Sequence, residues 1–184
     1  RHLGATPEGN WEGTNVLWTP RPADAELEAQ VAAALPRLFE AREARVHPAT
    51  DDKVLAAWNG LAITALAEAG RSFGEPRYLD AAQAAAGFVL EALTDDRGRL
   101  LRSWRDGRQG GPGYLDDHAC MADACLTLYE TTSGLRWLRE AKRLAEAIVE
   151  LFADPDGDGF YQTGRDAEQL VVRPRELFDN AVPA

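Results

Sequence analysis

The chain has 184 residues, 45% of them hydrophobic, 27% charged and 8% aromatic, which excludes a disordered tail or a fibre and allows one sizeable core. Thirty acidic side chains against twenty basic ones give a formal charge of −10, with no basic run, so nucleic acid is excluded as an expected partner. No apolar stretch approaches the roughly 18 residues of a membrane span and no signal-peptide order opens the chain, so no membrane partner is expected and the expected address is cytoplasmic.

Residues 1–22 hold Gly4, Pro7, Gly9, Gly13, Pro20 and Pro22 and read as an irregular lead-in. Helices are predicted to dominate residues 23–184. The first runs from Asp24, as cap, to Arg42, with Leu27, Val31, Leu35, Leu38 and Phe39 on one face and Pro36 kinking or breaking it. A second starts after Thr50, passes through Trp58, Asn59 and Gly60, and ends at Phe73 and Gly74, where glycine suits the terminus. Pro76 opens a third, whose apolar positions are Leu79, Ala82, Ala86, Val89, Leu90 and Leu93. Turn-forming residues fill 94–113. A fourth helix is predicted from Asp116 to Thr132 and a fifth from Leu135 to Phe152. Asp154 to Gly164 reads as a tight turn followed by a short strand over 160–163.

Sliding the chain along itself by 59 positions lays Ala65 on Ala124, Tyr78 on Trp137, Ala82 on Ala141, Ala86 on Ala145 and Asp95 on Asp154. The repeating unit is helix, turn, helix, then an Asp/Gly turn with a short extended piece. Such units bury a face only against their neighbours. The second and fourth helices are apolar or small nearly all round, whereas the fifth sets Leu138, Ala141, Ala145, Ile148 and Phe152 against a charged face. This alternation predicts an all-α fold of αα-hairpin repeats forming a partial (α/α)6 toroid, with an inner ring lining a hollow and short β-hairpin-like turns between hairpins. About two and a half hairpins are expected over 23–184.

Acidic clusters precede the inner helices: Asp51 and Asp52 ahead of Trp58, and Asp116 and Asp117 after Tyr114. Two carboxylates and an aromatic platform suit sugar chemistry, in which one acid moves a proton, the other supports charge, and an indole or phenol stacks on the ring. Asp117, Asp52 and His118 are the candidate acid/base groups. Trp58, Asn59, Arg102, Trp104, Tyr114 and Asp116 are the candidate binding groups. The competing reading is that acids at helix starts cap free N–H groups. Asn59 stands out as a buried amide that needs partners, beside a glycine that costs about 1 kcal/mol in a helix. No metal or cofactor is expected: His2, His47 and His118 have no ligand spacing, and Asp154, Asp156 and Asp158 open a calcium-like loop whose twelfth position is Arg165 rather than glutamate. Cys120 and Cys125, about 140° apart on a helix, read as buried thiols.

Glu8-Gly9-Asn10-Trp11-Glu12-Gly13, Asp51-Asp52-Lys53-Val54-Leu55 leading to Trp58-Asn59-Gly60-Leu61, Leu100-Leu101-Arg102-Ser103-Trp104-Arg105, and Tyr114-Leu115-Asp116-Asp117 together resemble the spermatogenesis-associated protein 20 family. The resemblance implies the early part of an (α/α)6 toroid similar to those of N-acylglucosamine 2-epimerases and six-hairpin glycosidases, following a thioredoxin-like domain. No Cys-x-x-Cys is present here, so no redox chemistry is assigned. His118 stands where the family usually has a tyrosine. The stretch 179–183 resembles the start of the next inner helix, and Arg1 at the start suggests an excised segment of a longer protein. The expected function is binding or processing of a carbohydrate-like small molecule by epimerase-like or isomerase-like acid/base chemistry, glycosidase-like hydrolysis being a variant. The alternative is a non-catalytic scaffold accompanying the thioredoxin-like domain. An open toroid edge also predicts self-association.

Overall fold

A computed structural model describes residues 2–19, 22 and 24–176, and the stretch read as the next inner helix lies outside them. The chain divides into two units, Arg1–Thr50 and Asp51–Ala184.

In the first unit the lead-in is organised by an asparagine. Asn10 Nδ2 donates to the carbonyls of Gly4 and Val16, both at 2.8 Å, and its Oδ1 accepts from the Val16 N–H at 2.8 Å. Helix α1, Ala25–Glu43, starts where expected, with Asp24 Oδ1 accepting from the Leu27 N–H at 2.9 Å. It continues unbroken past Pro36, because the carbonyl that loses its partner belongs to exposed Ala32 and meets water instead.

The second unit begins with β1, Val54–Leu55, which runs straight into α2, Ala56–Phe73. Helix α3, Pro76–Ala92, follows. Then come β2, Ser103–Arg105, and β3, Arg108–Gln109, before α4, Leu115–Thr132, and α5, Leu135–Phe152. The three strands form one antiparallel sheet in the order β1-β2-β3, with Val54 opposite Trp104 and Trp104 opposite Gln109. Two corrections to the sequence reading follow. Helix α2 starts at Ala56, because Val54 and Leu55 pair with β2, which leaves Asp51 and Asp52 in an exposed approach. The stretch 160–163 is no strand: Phe160 makes an isolated bridge to Ala153, and Gln162 turns away to exchange backbone bonds with Leu115 and Pro174.

The helices pack as two hairpins, α2 with α3 and α4 with α5, joined through α2 against α4. The core runs through all four, with Ile63 and Ala67 of α2, Ala82, Ala86 and Val89 of α3, Met121, Cys125 and Leu128 of α4, and Ala141 and Leu144 of α5. Alanine at the α3 and α5 positions keeps the layers close. The inner pair is closer still at Gly60, where an added Cβ would lie 2.6 Å from the Cys120 carbonyl carbon and 2.7 Å from its oxygen. Backbone cannot give way as a side-chain end does, so Gly60→Ala should lower the stability of the unit by about 2 kcal/mol despite alanine's better helix propensity, as read from urea unfolding. The inner helices leave some apolar groups uncovered: Trp58 is 65% exposed, and Leu61 and Leu126 are also open.

Candidate functional site

The N-termini of α2 and α4 meet the sheet at one end of the second unit, and four of the residues singled out by sequence, Asp117, Arg102, Asp116 and Tyr114, come together there. Asp117 is the hub. Its side chain is 1% exposed; Oδ1 accepts from the Ala57 N–H at 3.0 Å, and Oδ2 from the Tyr114 N–H at 2.8 Å and from Arg102 Nη1 at 3.2 Å. It therefore caps two helices, its own by reaching back three residues and α2 across 60 residues of chain. Helix α2 has no side-chain cap of its own. Burial pushes the Asp117 carboxyl above its ordinary range, opposed by the Tyr114 N–H, with Asp116 raising it further and the Ala57 N–H and Arg102 lowering it.

His118 is equally internal. Its Nε2 lies 2.7 Å from Arg99 Nη1, and since an arginine only donates, Nε2 accepts and Nδ1 carries the proton that it donates to the Tyr114 carbonyl at 2.8 Å. Burial brings its pKa down to about 4, against the pull of the Tyr114 carbonyl. Arg99 also reaches the Gly113 carbonyl and Asp166 and lies over the Phe152 ring, so this group ties three loops together.

The other candidates are dispersed. Asp52 is half exposed and pairs with Arg105 at 2.5 Å. Asn59 is partly buried, and its amide donates to the Leu55 carbonyl at 2.9 Å, closing the start of its own helix. Trp104 packs edge-on against Phe88. Trp58 lies open. Asp116 accepts from the Asp117 N–H at 3.0 Å and stands 3.7 Å from Arg102, with its side chain 34% exposed. Thus Asp117, Arg102, Asp116 and Tyr114 come together, while Asp52, Asn59 and His118 each serve separate local partners.

Arg102 faces outward from this hub. Its guanidinium lies over the Tyr114 ring at 4.5 Å and lines a cavity of about 560 Å³, whose other wall includes Gln162, Thr163, Glu168 and Pro174. A second hollow of about 420 Å³, lined by Asp116, Leu61, Cys120 and Phe160, shares Gln162 with the first. Gln162, Thr163 and Glu168 were not among the residues expected from sequence. The available signal was weak: Gln162 and Thr163 fall in a stretch read as a strand, and Glu168 lies beyond it in a segment to which no element was assigned.

The human and mouse proteins named spermatogenesis-associated protein 20 are 33% and 32% identical to this chain over 97% of it. The chain belongs to the spermatogenesis-associated protein 20 family. It spans 25% of the length of those two relatives. No family model matches it. This segment of the family also shares its fold with solved sugar-enzyme structures. The cellobiose 2-epimerase of Bacillus thermoamylovorans aligns with a TM-score of 0.57 at 20% identity, over 68% of this chain and 33% of that one. That of Spirochaeta thermophila gives 0.56 at 17% identity, over 74% and 39%. A family 76 glycoside hydrolase, a mannosidase from Bacteroides thetaiotaomicron, gives 0.51 at 19% identity, over 59% and 32%. At these identities the likeness shows the fold alone, that of helical hairpins of the (α/α)6 toroid type. Among the described residues no helix is long and apolar enough to cross a membrane.

Proposed function

We propose that the toroid to which these hairpins belong binds a carbohydrate-like small molecule at the end where its inner helices begin, and acts on it by acid/base chemistry as an epimerase or isomerase does. The observation that carries the reading is Arg102: one nitrogen is fixed by Asp117, its plane rests on Tyr114, and the group lines a cavity with further polar side chains. A guanidinium so held is pre-oriented to bind hydroxyls. In this reading Arg102 and Tyr114 hold the ligand, and Trp58 offers an open indole for stacking. Asp116 is the carboxylate accessible for proton transfer, and Asp52 is a second one at the same end. Asp117 is a positioning residue, since both its oxygens are already hydrogen-bonded, and His118 is structural. The shared fold with proteins named as cellobiose 2-epimerases and a mannosidase supports the substrate class.

A glycan screen on the complete toroid tests this. Binding should fall at least tenfold in Arg102→Lys, which keeps the charge and loses the fork, and turnover should vanish in Asp116→Asn while the melting temperature is kept. An intact toroid that takes up no glycan, or uptake indifferent to Arg102→Lys, sinks the reading. The second reading is a non-catalytic scaffold serving a thioredoxin-like domain. It is favoured by the way Asp117, Asn59 and His118 bond within the chain. It predicts capture of that domain and no glycan.

A further inference from the structure

The cavity beside Arg102 carries information about charge as well as shape. Its walls come entirely from the second unit: Arg102 just before β2, the loop after β3 with Tyr114 at the start of α4, and the segment 162–174. Five of the lining side chains carry hydrogen-bonding groups: Arg102, Tyr114, Gln162, Thr163 and Glu168. Arg102 has donors beyond the nitrogen used by Asp117. The Tyr114 hydroxyl and the Gln162 amide make no side-chain hydrogen bond among the described residues. Such a set suits a ligand with several hydroxyl groups.

The charges around it are unbalanced. Arg102 stands 3.2 Å from Asp117 and 3.7 Å from Asp116, so two carboxylates already answer its single charge. Glu168 adds a third carboxylate on the opposite wall. Arg173, the other nearby cation, is held by the carbonyls of Leu151 and Thr163 and lies over the Tyr161 ring at 4.2 Å. Arg99 is matched by Asp166. Of these groups only Arg102 and Glu168 line the cavity, and since Asp116 and Asp117 already stand against Arg102, the charge left to meet a ligand is that of Glu168. An arginine in a sugar site ordinarily suggests a uronate carboxylate as its partner. Here that partner position is filled from within by Asp117.

We infer that this cavity takes an uncharged sugar ring and rejects acidic sugars, with Glu168 as the residue that enforces the rejection. The inference rests on the sugar-binding reading above and adds the charge class of the ligand. Glu168 is an exposed residue of the cavity wall, so its repulsion of a carboxylate is screened by salt and is read most clearly at low ionic strength.

The test uses the complete toroid, as the glycan screen does. Cellobiose and the corresponding uronic acid, cellobiouronate, are titrated into labelled protein at neutral pH, and Kd is read from backbone amide shifts. Cellobiose should move the amides of Gln162 and Tyr114 and bind at least tenfold more tightly than the uronate. Glu168→Gln should narrow that ratio to within about threefold, mainly by tightening the uronate. Tyr114→Phe should weaken cellobiose severalfold without changing the melting temperature. Equal or tighter binding of the uronate by the unaltered chain overturns the charge assignment and leaves the sugar reading standing. So does a cellobiose response that is indifferent to both substitutions. Failure of both sugars to shift any amide up to tens of millimolar overturns this inference and the sugar reading together.

Discussion

Replacing Asp117 with alanine should cost the second unit about 4 kcal/mol, the largest loss expected from any single carboxylate in the chain. The change leaves the Ala57 and Tyr114 N–H groups without an acceptor in a buried place and strips Arg102 of its closest counter-charge. Each orphaned N–H costs about 1–3 kcal/mol, and an unpaired charge at the cavity edge adds to that. Asp117→Asn should fall between alanine and the native residue. Its amide oxygen can serve one N–H, but its nitrogen meets a second donor where an acceptor is needed. Asp52→Ala provides the contrast. That side chain is half exposed, its pairing with Arg105 is a surface ion pair, and its loss should move stability by under about 1 kcal/mol. Urea unfolding followed by circular dichroism reads all three. An Asp117→Ala cost no larger than that of Asp52→Ala would contradict the double cap.

Acidification should destabilise the same unit through His118. Its pKa of about 4 in the folded chain lies below the ordinary 6.5, so between these values the unfolded chain takes up a proton that the folded chain refuses. The contribution of His118 is therefore fully present above pH 6.5 and is lost as the pH falls toward 4, about 3 kcal/mol in all. The physical origin is chiefly burial of the ring, to which the Arg99 guanidinium 2.7 Å from Nε2 adds, since a second ring proton would remove the acceptor and set two cations against each other. Asp117 acts in the opposite sense: its carboxyl is raised, so the folded chain holds that proton better and gains stability as the pH drops through the raised value. The two effects separate by substitution. His118→Gln, which does not titrate, should flatten the slope of stability against pH across 6.5 to 4 by nearly one proton. A slope unchanged in His118→Gln would show that the ring takes up its proton without hindrance.

The helices were largely legible in the sequence. Pro76, Gly74 and the apolar spacing mark α3 and the end of α2, and the charged face of α5 delimits that helix on its own. The 59-residue repeat carries into space: Thr64 and Asp123, equivalent positions in the two hairpins, approach each other across the inner pair with a hydrogen bond of 3.3 Å. The short sheet was not legible, because strands of two or three residues carry too little alternation to register. Asp117 stands apart in the sequence as an acid inside its helix rather than at its start. Its spacing from Tyr114, three residues on, is that of an acid reaching back to the start of its own helix, whereas the bond to Ala57 joins residues 60 positions apart and no local pattern announces it. Asn59 and Gly60 both looked out of place in an apolar helix. One satisfies a carbonyl of its own first turn, and the other lets α4 approach.

The cap that Asp117 places on α2 has a consequence for biosynthesis. A ribosome delivers α2 and α3 long before residue 117 leaves the exit tunnel, so during that interval the leading turn of α2 has no side chain to hold its free amides and frays. The first hairpin therefore gains that bond only once the second has been made.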